Sequence, residues 1–167
     1  MVAARPALPL LLLGSLLLVA GCKSSDPQAW KPKLKTYLTE RLRKHGFRDL
    51  RTDDDSRARP PTKYQGATKG LAYALRHTAK FEEVPVTVGT WVYAGKAARD
   101  AAKAPFQDIT ADLAKEQRAY KWWPVDFADP DLHLLMVMDA PELSVENHMQ
   151  LVHKEMVEQY AEIKQIQ

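Results

Sequence analysis

Five histidines, a run of three aspartates and a tryptophan pair are the residues whose types and spacing could carry chemistry in this chain. His148 and His153 sit five apart in a segment of helical periodicity, which turns them about 140° from each other. A helical zinc site needs a spacing of four so that both rings share a face, so this pair does not make one. Asp129, Asp131 and His133 alternate in DPDLH. On one side of an extended segment they would offer two oxygens and a nitrogen to a metal, or a carboxylate to orient a histidine base. The same residues also serve as loop punctuation ahead of a strand. Asp53, Asp54 and Asp55 are consecutive, and without further oxygen donors at alternating positions they do not converge on one cation. No metal and no cofactor is expected.

Nucleophilic chemistry has no evident setting either. No serine stands in a Gly-x-Ser-x-Gly elbow, and the glycines do not form a phosphate-cradling loop. Carboxylate pairs for glycoside hydrolysis cannot be picked from one sequence, because any two acids can meet in a fold. The strongest surface candidate is Trp122-Trp123-Pro124. In a loop or strand-like dipeptide one indole packs inward while the other faces out, and an exposed tryptophan anchors a protein or glycan. The structural alternative is that both close the core at a helix end.

The elements that must position these residues follow from periodicity. A first helix is expected from Pro32 to His45, with proline in its first turn and Gly46 as its stop. Leu34, Tyr37, Leu38 and Leu42 form its apolar stripe. Lys33, Lys35, Arg43 and Lys44 lie off that stripe, as a solvated face or as a basic surface for a partner. Phe47 to Arg51 fits a short strand, followed by a polar loop to Pro61. Residues 67–80 are ambiguous: Leu71 and Leu75 fit a helix, Leu71, Tyr73, Leu75 and His77 one side of a strand, and alanine content favours helix. Val84 to Val92 alternates as a strand, with Pro85 at its start or on an edge.

An alanine-rich stretch then leads to a helix expected over Asp108 to Lys121, with Asp108 as cap or first-turn acid and Ile109, Leu113, Gln117 and Tyr120 on one side. Leu132 to Met138 is apolar on both faces, so it should be a central strand covered on both sides. The last helix is expected from Val145 to Lys164, capped by Ser144. Its stripe is Val145, Met149, Val152, Met156, Tyr160 and Ile163, in which methionine is core filler. Together these elements imply an α+β domain, a small mostly antiparallel sheet covered by helices and ending in a long C-terminal helix.

The N-terminus places that domain. Arg5 precedes an apolar run from Ala7 to Ala20, the architecture of a signal peptide. The run is shorter than the roughly 20 apolar residues a bilayer span needs, and it contains Pro9 and Gly14. Val19-Ala20-Gly21 then meets Cys22, the only cysteine of the chain. This segment resembles the signal and lipobox of bacterial lipoproteins, over the first 22 residues only. The resemblance implies a diacylglyceryl thioether on Cys22, cleavage before it and a further acyl chain on the new amine. Several acyl chains, at about 0.8 kcal/mol per buried methylene, anchor a protein stably where one does not. In enterobacterial lipoproteins an aspartate after the cysteine retains the protein in the inner membrane, so by the same resemblance Lys23 implies the periplasmic face of the outer membrane. With its thiol committed to lipid, the mature chain has no disulfide, thiolate catalysis or cysteine metal site.

The expected organisation is therefore a cleaved signal over residues 1–21, a lipidated tether over 22–31 and one domain over 32–167. Residues 23–80 carry 15 basic and 6 acidic side chains, residues 81–167 carry 8 and 15. Either the halves neutralise each other within one domain, or they form an oriented dipole with the basic half toward an anionic membrane or glycan. Nucleic acid is not an expected target of a lipid-anchored, exported chain. The expected function is a lipid-anchored envelope protein acting as a non-enzymatic binding or assembly module, with an envelope protein or glycan as partner. The alternative is a lipoprotein enzyme or small-ligand binder working on cell-wall material. It requires a deep pocket lined by His133, Asp131 or the tryptophans.

Overall fold

A computed structural model describes residues 26–54, 65–127 and 132–166. Cys22, Lys23, Asp55, Asp129 and Asp131 lie outside the described residues, as does the side chain of Asp54.

Five strands make one sheet in the order β1-β2-β3-β5-β4, with every neighbouring pair antiparallel. They are β1 (Phe47–Asp54), β2 (Leu71–Phe81), β3 (Val84–Tyr93), β4 (Ala119–Val125) and β5 (His133–Ala140). Helices α1 (Lys31–Lys44), α5 (Glu146–Glu158) and α6 (Tyr160–Gln165) cover one face. Helices α2 (Gln65–Thr68), α3 (Lys96–Ala101) and α4 (Lys103–Lys115) cover part of the other. The fold is α+β, a helix-covered antiparallel sheet.

Alternation in the strands divides the core in two. Leu134, Met136 and Met138 join Tyr73, Leu75, Val88 and the stripe of α1 in the larger cluster. Leu135 and Val137 point the other way, against Trp91, Phe106 and Ile109. β5 is thus an inner strand apolar on both faces, as its composition requires, although β3 holds the middle of the sheet. Pro85 sits at the start of β3, before the β5 pairing begins at Thr87↔Asp139, so its missing donor leaves no gap in that ladder. Gly89 is needed for space: a Cβ there would stand 3.1 Å from the Trp91 Nε1.

Several elements differ from the sequence expectation, each for a tertiary reason. Residues 71–81 are a strand, not a helix: they pair with β3 along its whole length. The alanine content has another use. Ala74, Ala67 and Ala102 are fully buried in one cluster, where small side chains let α2 and the α3–α4 junction approach the sheet. The helix expected over 108–121 ends at Lys115. Gln117 takes a positive φ of 59°, and Tyr120, Trp122 and Trp123 belong to edge strand β4. Asp108 is an exposed mid-helix residue rather than a cap.

The long C-terminal helix is two shorter ones, broken at Gln159. Its apolar stripe is buried as expected, but Tyr160 is held between the rings of Trp30 (5.6 Å) and Phe127 (4.4 Å), which sets the last turn separately. Ser144 does not cap α5; it lies in a 3-10 turn, Leu143–Val145, and α5 has no side-chain cap. Residues 27–31, expected to belong to a tether, are part of the folded domain. Pro27–Trp30 is a 3-10 turn capped by Asp26, and Trp30 is only 6 % exposed.

Candidate functional site

The tryptophan pair is built into β4, so successive side chains take opposite faces. Trp122 packs toward Phe106, with ring centroids 5.7 Å apart, and Trp123 toward His153 on the other face, at 6.4 Å. Both are half-buried. The pair is divided between the two apolar layers, one indole on each, rather than one inward and one outward. The His153 ring N–H donates to the Pro124 carbonyl (2.9 Å), tying α5 to this edge strand.

The basic residues of α1 do not form one surface. Lys33 and Lys44 lie on the flank toward α5 and α6: Lys33 Nζ donates to the Lys164 carbonyl (2.6 Å) and Lys44 Nζ to Glu155 (2.7 Å). Arg41 adds an ion pair to Glu162 (2.7 Å), and His45 lies 3.3 Å from Glu155. The hydrogen bond from Lys44 holds the Glu155 carboxyl below its ordinary range, against the opposing effect of burial. Part of the basic half therefore neutralises part of the acidic half across this helix seam. Lys35 is exposed on a different flank, and Arg43 is exposed near the end of α1.

The histidines are equally dispersed. His77 is fully buried beneath α1, its Nε2 3.4 Å from Thr39 Oγ1. His148 lies against the Phe81 ring at 4.2 Å, and His133 opens β5 opposite Tyr93. Among the described residues no three His, Cys, Asp or Glu side chains converge as metal ligands.

An open depression lies elsewhere among the described residues. Among the described residues, helices α2–α4 cover the end of their face near Ala74, Trp91 and Leu135 and leave the β2–β3 hairpin end open. There an open groove of about 790 Å³ has Arg43, Arg48, Arg51 and Lys80 around it and Phe47, Leu50, Ala79 and Pro85 beneath. Three features of the chain shape it. Gly46, at φ 88°, stops α1 and brings Arg43 beside β1. A bulge between Arg48 and Arg51, with Asp49 at φ 54°, bends β1 and turns both arginines to the open face. On β2, Arg76, Thr78 and Lys80 alternate with the buried His77 and Ala79. Asp49 pairs with Lys80, its carboxylate 3.8 Å from Nζ. The depression continues past Thr78 and Thr87 to Arg118 and Asp139, which are paired with each other. Burial raises the Asp139 carboxyl above its ordinary value, opposed by Arg118 and Arg76.

Of the residues the sequence singled out, only Arg43 reaches this groove. Arg48, Arg51 and Lys80 were not singled out. The signal for them was the polar alternation Arg76, Thr78, Lys80, which is visible only if residues 71–81 are taken as a strand. Comparison with family models, curated proteins and solved structures found no match to this chain.

Proposed function

We propose that this chain is a lipid-anchored bacterial envelope protein, held through Cys22 at the periplasmic face of the outer membrane, and that it works as a binding or assembly module. The anchor rests on the Val-Ala-Gly-Cys lipobox pattern and the outer membrane on Lys23. Among the described residues no helix is long and apolar enough to cross a membrane. The binding role is carried by one observation, the open cationic groove between the end of α1, the β1 bulge and β2. Arginine is suited to such a surface because its planar donors match carboxylate and phosphate. The enzymatic alternative needs a deep pocket lined by His133, Asp131 or the tryptophans, of which Asp131 lies outside the described residues. Trp122 and Trp123 lie on opposite faces of the sheet, which weighs against it.

Two measurements test the reading. Labelling with palmitate followed by membrane fractionation should place the wild-type chain in the outer membrane, and Cys22→Ala should remain folded but unlipidated. Membrane retention of that variant would mean that the anchor is misassigned. Pulldown from solubilised envelope should recover a partner with the wild-type chain and lose it with Arg48→Glu combined with Arg51→Glu. Recovery of the same partners by both would remove the groove from the binding surface.

A further inference from the structure

We infer that the groove docks an acidic, partly apolar peptide segment of another protein, presented away from the bilayer that holds the anchor. The inference rests on the binding-module reading and adds the chemistry and direction of the partner.

Direction comes from where the chain enters the domain. Gln28 Nε2 donates to the Ala72 carbonyl (3.2 Å), so the entry turn sits at the start of β2. The groove residue Lys80 lies eight residues further along that strand, about 26 Å at ~3.3 Å per residue. Helix α1 runs the same way, from Lys31 at the entry to Arg43 and Lys44 at the groove end. Cys22 is four residues before Asp26, at most about 14 Å of extended chain. The anchored sulfur therefore cannot reach the groove. With the domain upright on its anchor the groove lies at the end away from the bilayer, and Lys31 and Lys33 are the described lysines nearest the entry turn.

Chemistry comes from the lining. Among the described residues four cations and one carboxylate, Asp49, line the groove, so its lining is net positive and the complementary partner is anionic. The floor is aliphatic as well as polar, which favours an occupant with its own apolar side chains. It offers no aromatic platform for a sugar ring, since Phe47 is 2 % exposed and turned into the core. The bulge with Asp49 at positive φ breaks the regular edge of β1, so docking runs through side chains on the open face rather than by addition of a strand.

The test uses the full lipidated chain in phosphatidylcholine vesicles and a short fluorescent peptide of alternating glutamate and leucine, read by anisotropy. The peptide should bind with an affinity that falls as salt rises, and weaken by about tenfold or more in Arg48→Glu with Arg51→Glu. Lys154→Glu, on the distant surface of α5, should leave it unchanged. Both arginines are exposed, and a matching unfolding curve for the double variant separates lost binding from lost fold. Equal binding of a lysine–leucine peptide, unchanged affinity in the double variant, or tighter binding of polygalacturonate than of the peptide would each overturn the inference. So would loss of peptide binding when phosphatidylglycerol is added to the vesicles, because that outcome puts the groove on headgroups. If the peptide fails while an envelope partner is still retained in pulldown, only this inference falls. If no partner is retained by any surface, the binding-module reading falls with it.

Discussion

The two faces of the sheet carry out different tasks with the same strands. Under α1, α5 and α6 the face is mostly apolar along its length, with His77 and Thr90 as its buried polar side chains. Under α2–α4 the face is apolar only near Ala74, Trp91 and Leu135, and beyond them it changes to Arg76, Thr78, Lys80 and Thr87. The first face therefore holds the larger buried core. The second leaves charged surface open because there is too little apolar area there to hold another helix. Function is to be sought where the covering stops.

Leu134 and Leu135 make the sharpest comparison, since they are adjacent, identical and both 0 % exposed, yet belong to opposite layers. Each change to alanine should cost about 2–5 kcal/mol by loss of burial plus a residual cavity. Leu134→Ala should cost more, because the larger core on its side is closed over by three helices and relaxes less. Urea unfolding of the two variants measures this, and equal or reversed costs would break the distinction between the layers.

The seam between α1 and α5 should contribute less. Glu155→Gln removes the anion shared by Lys44, Arg41 and His45 and should cost about 1 kcal/mol, discounted because the Lys44 partner is largely in solvent. The Glu155 pKa is depressed in the fold, so its stabilisation is full above the unfolded carboxylate pKa and is lost as pH falls through the lower folded value. Melting temperature against pH should drop less steeply on the acid side in Glu155→Gln than in wild type. Identical acid limbs would exclude this carboxylate as a contributor.

A change of opposite sign is expected inside the larger core. Thr90 is fully buried with no hydrogen-bond partner for its hydroxyl among the described residues. Replacing it with valine removes an unsatisfied polar atom at similar volume and should leave stability unchanged or raise it by up to about 1 kcal/mol. A clear loss in thermal melting would mean that the hydroxyl is satisfied. Smallest of all, Arg48→Gln and Arg51→Gln should move stability by no more than about 0.5 kcal/mol, because both side chains are exposed. A larger loss in either would make the groove part of the folding core and blur the division of labour between the faces.

Legibility in the sequence follows the same division. The stripes of α1 and of α5 with α6, the alternation of β3 and the two-sided apolar run of β5 were all readable. In each, the hydrophobic period matches the element and the residues face a core that no other arrangement would bury. The groove was not readable. Arg48 and Arg51 are two of many basic residues in the N-terminal half, and nothing in their spacing says that a bulge turns both outward. Lys80 was obscured by the helical composition of residues 71–81, whose alanines serve helix–sheet approach.

From sequence alone came the expected export signal, the expected use of the only thiol, Cys22, as an anchor, the α+β class and the two charge-biased halves. Those depend on local pattern and composition, which a chain carries whether or not it is folded. Tertiary structure alone decided that Trp122 and Trp123 part to opposite layers, that Lys44 is bound to Glu155 while Arg43 is open, and that the cations of β1 and β2 gather at the end opposite the tether. Those depend on strand register and on which helix covers which half of the sheet, and long-range pairing sets both.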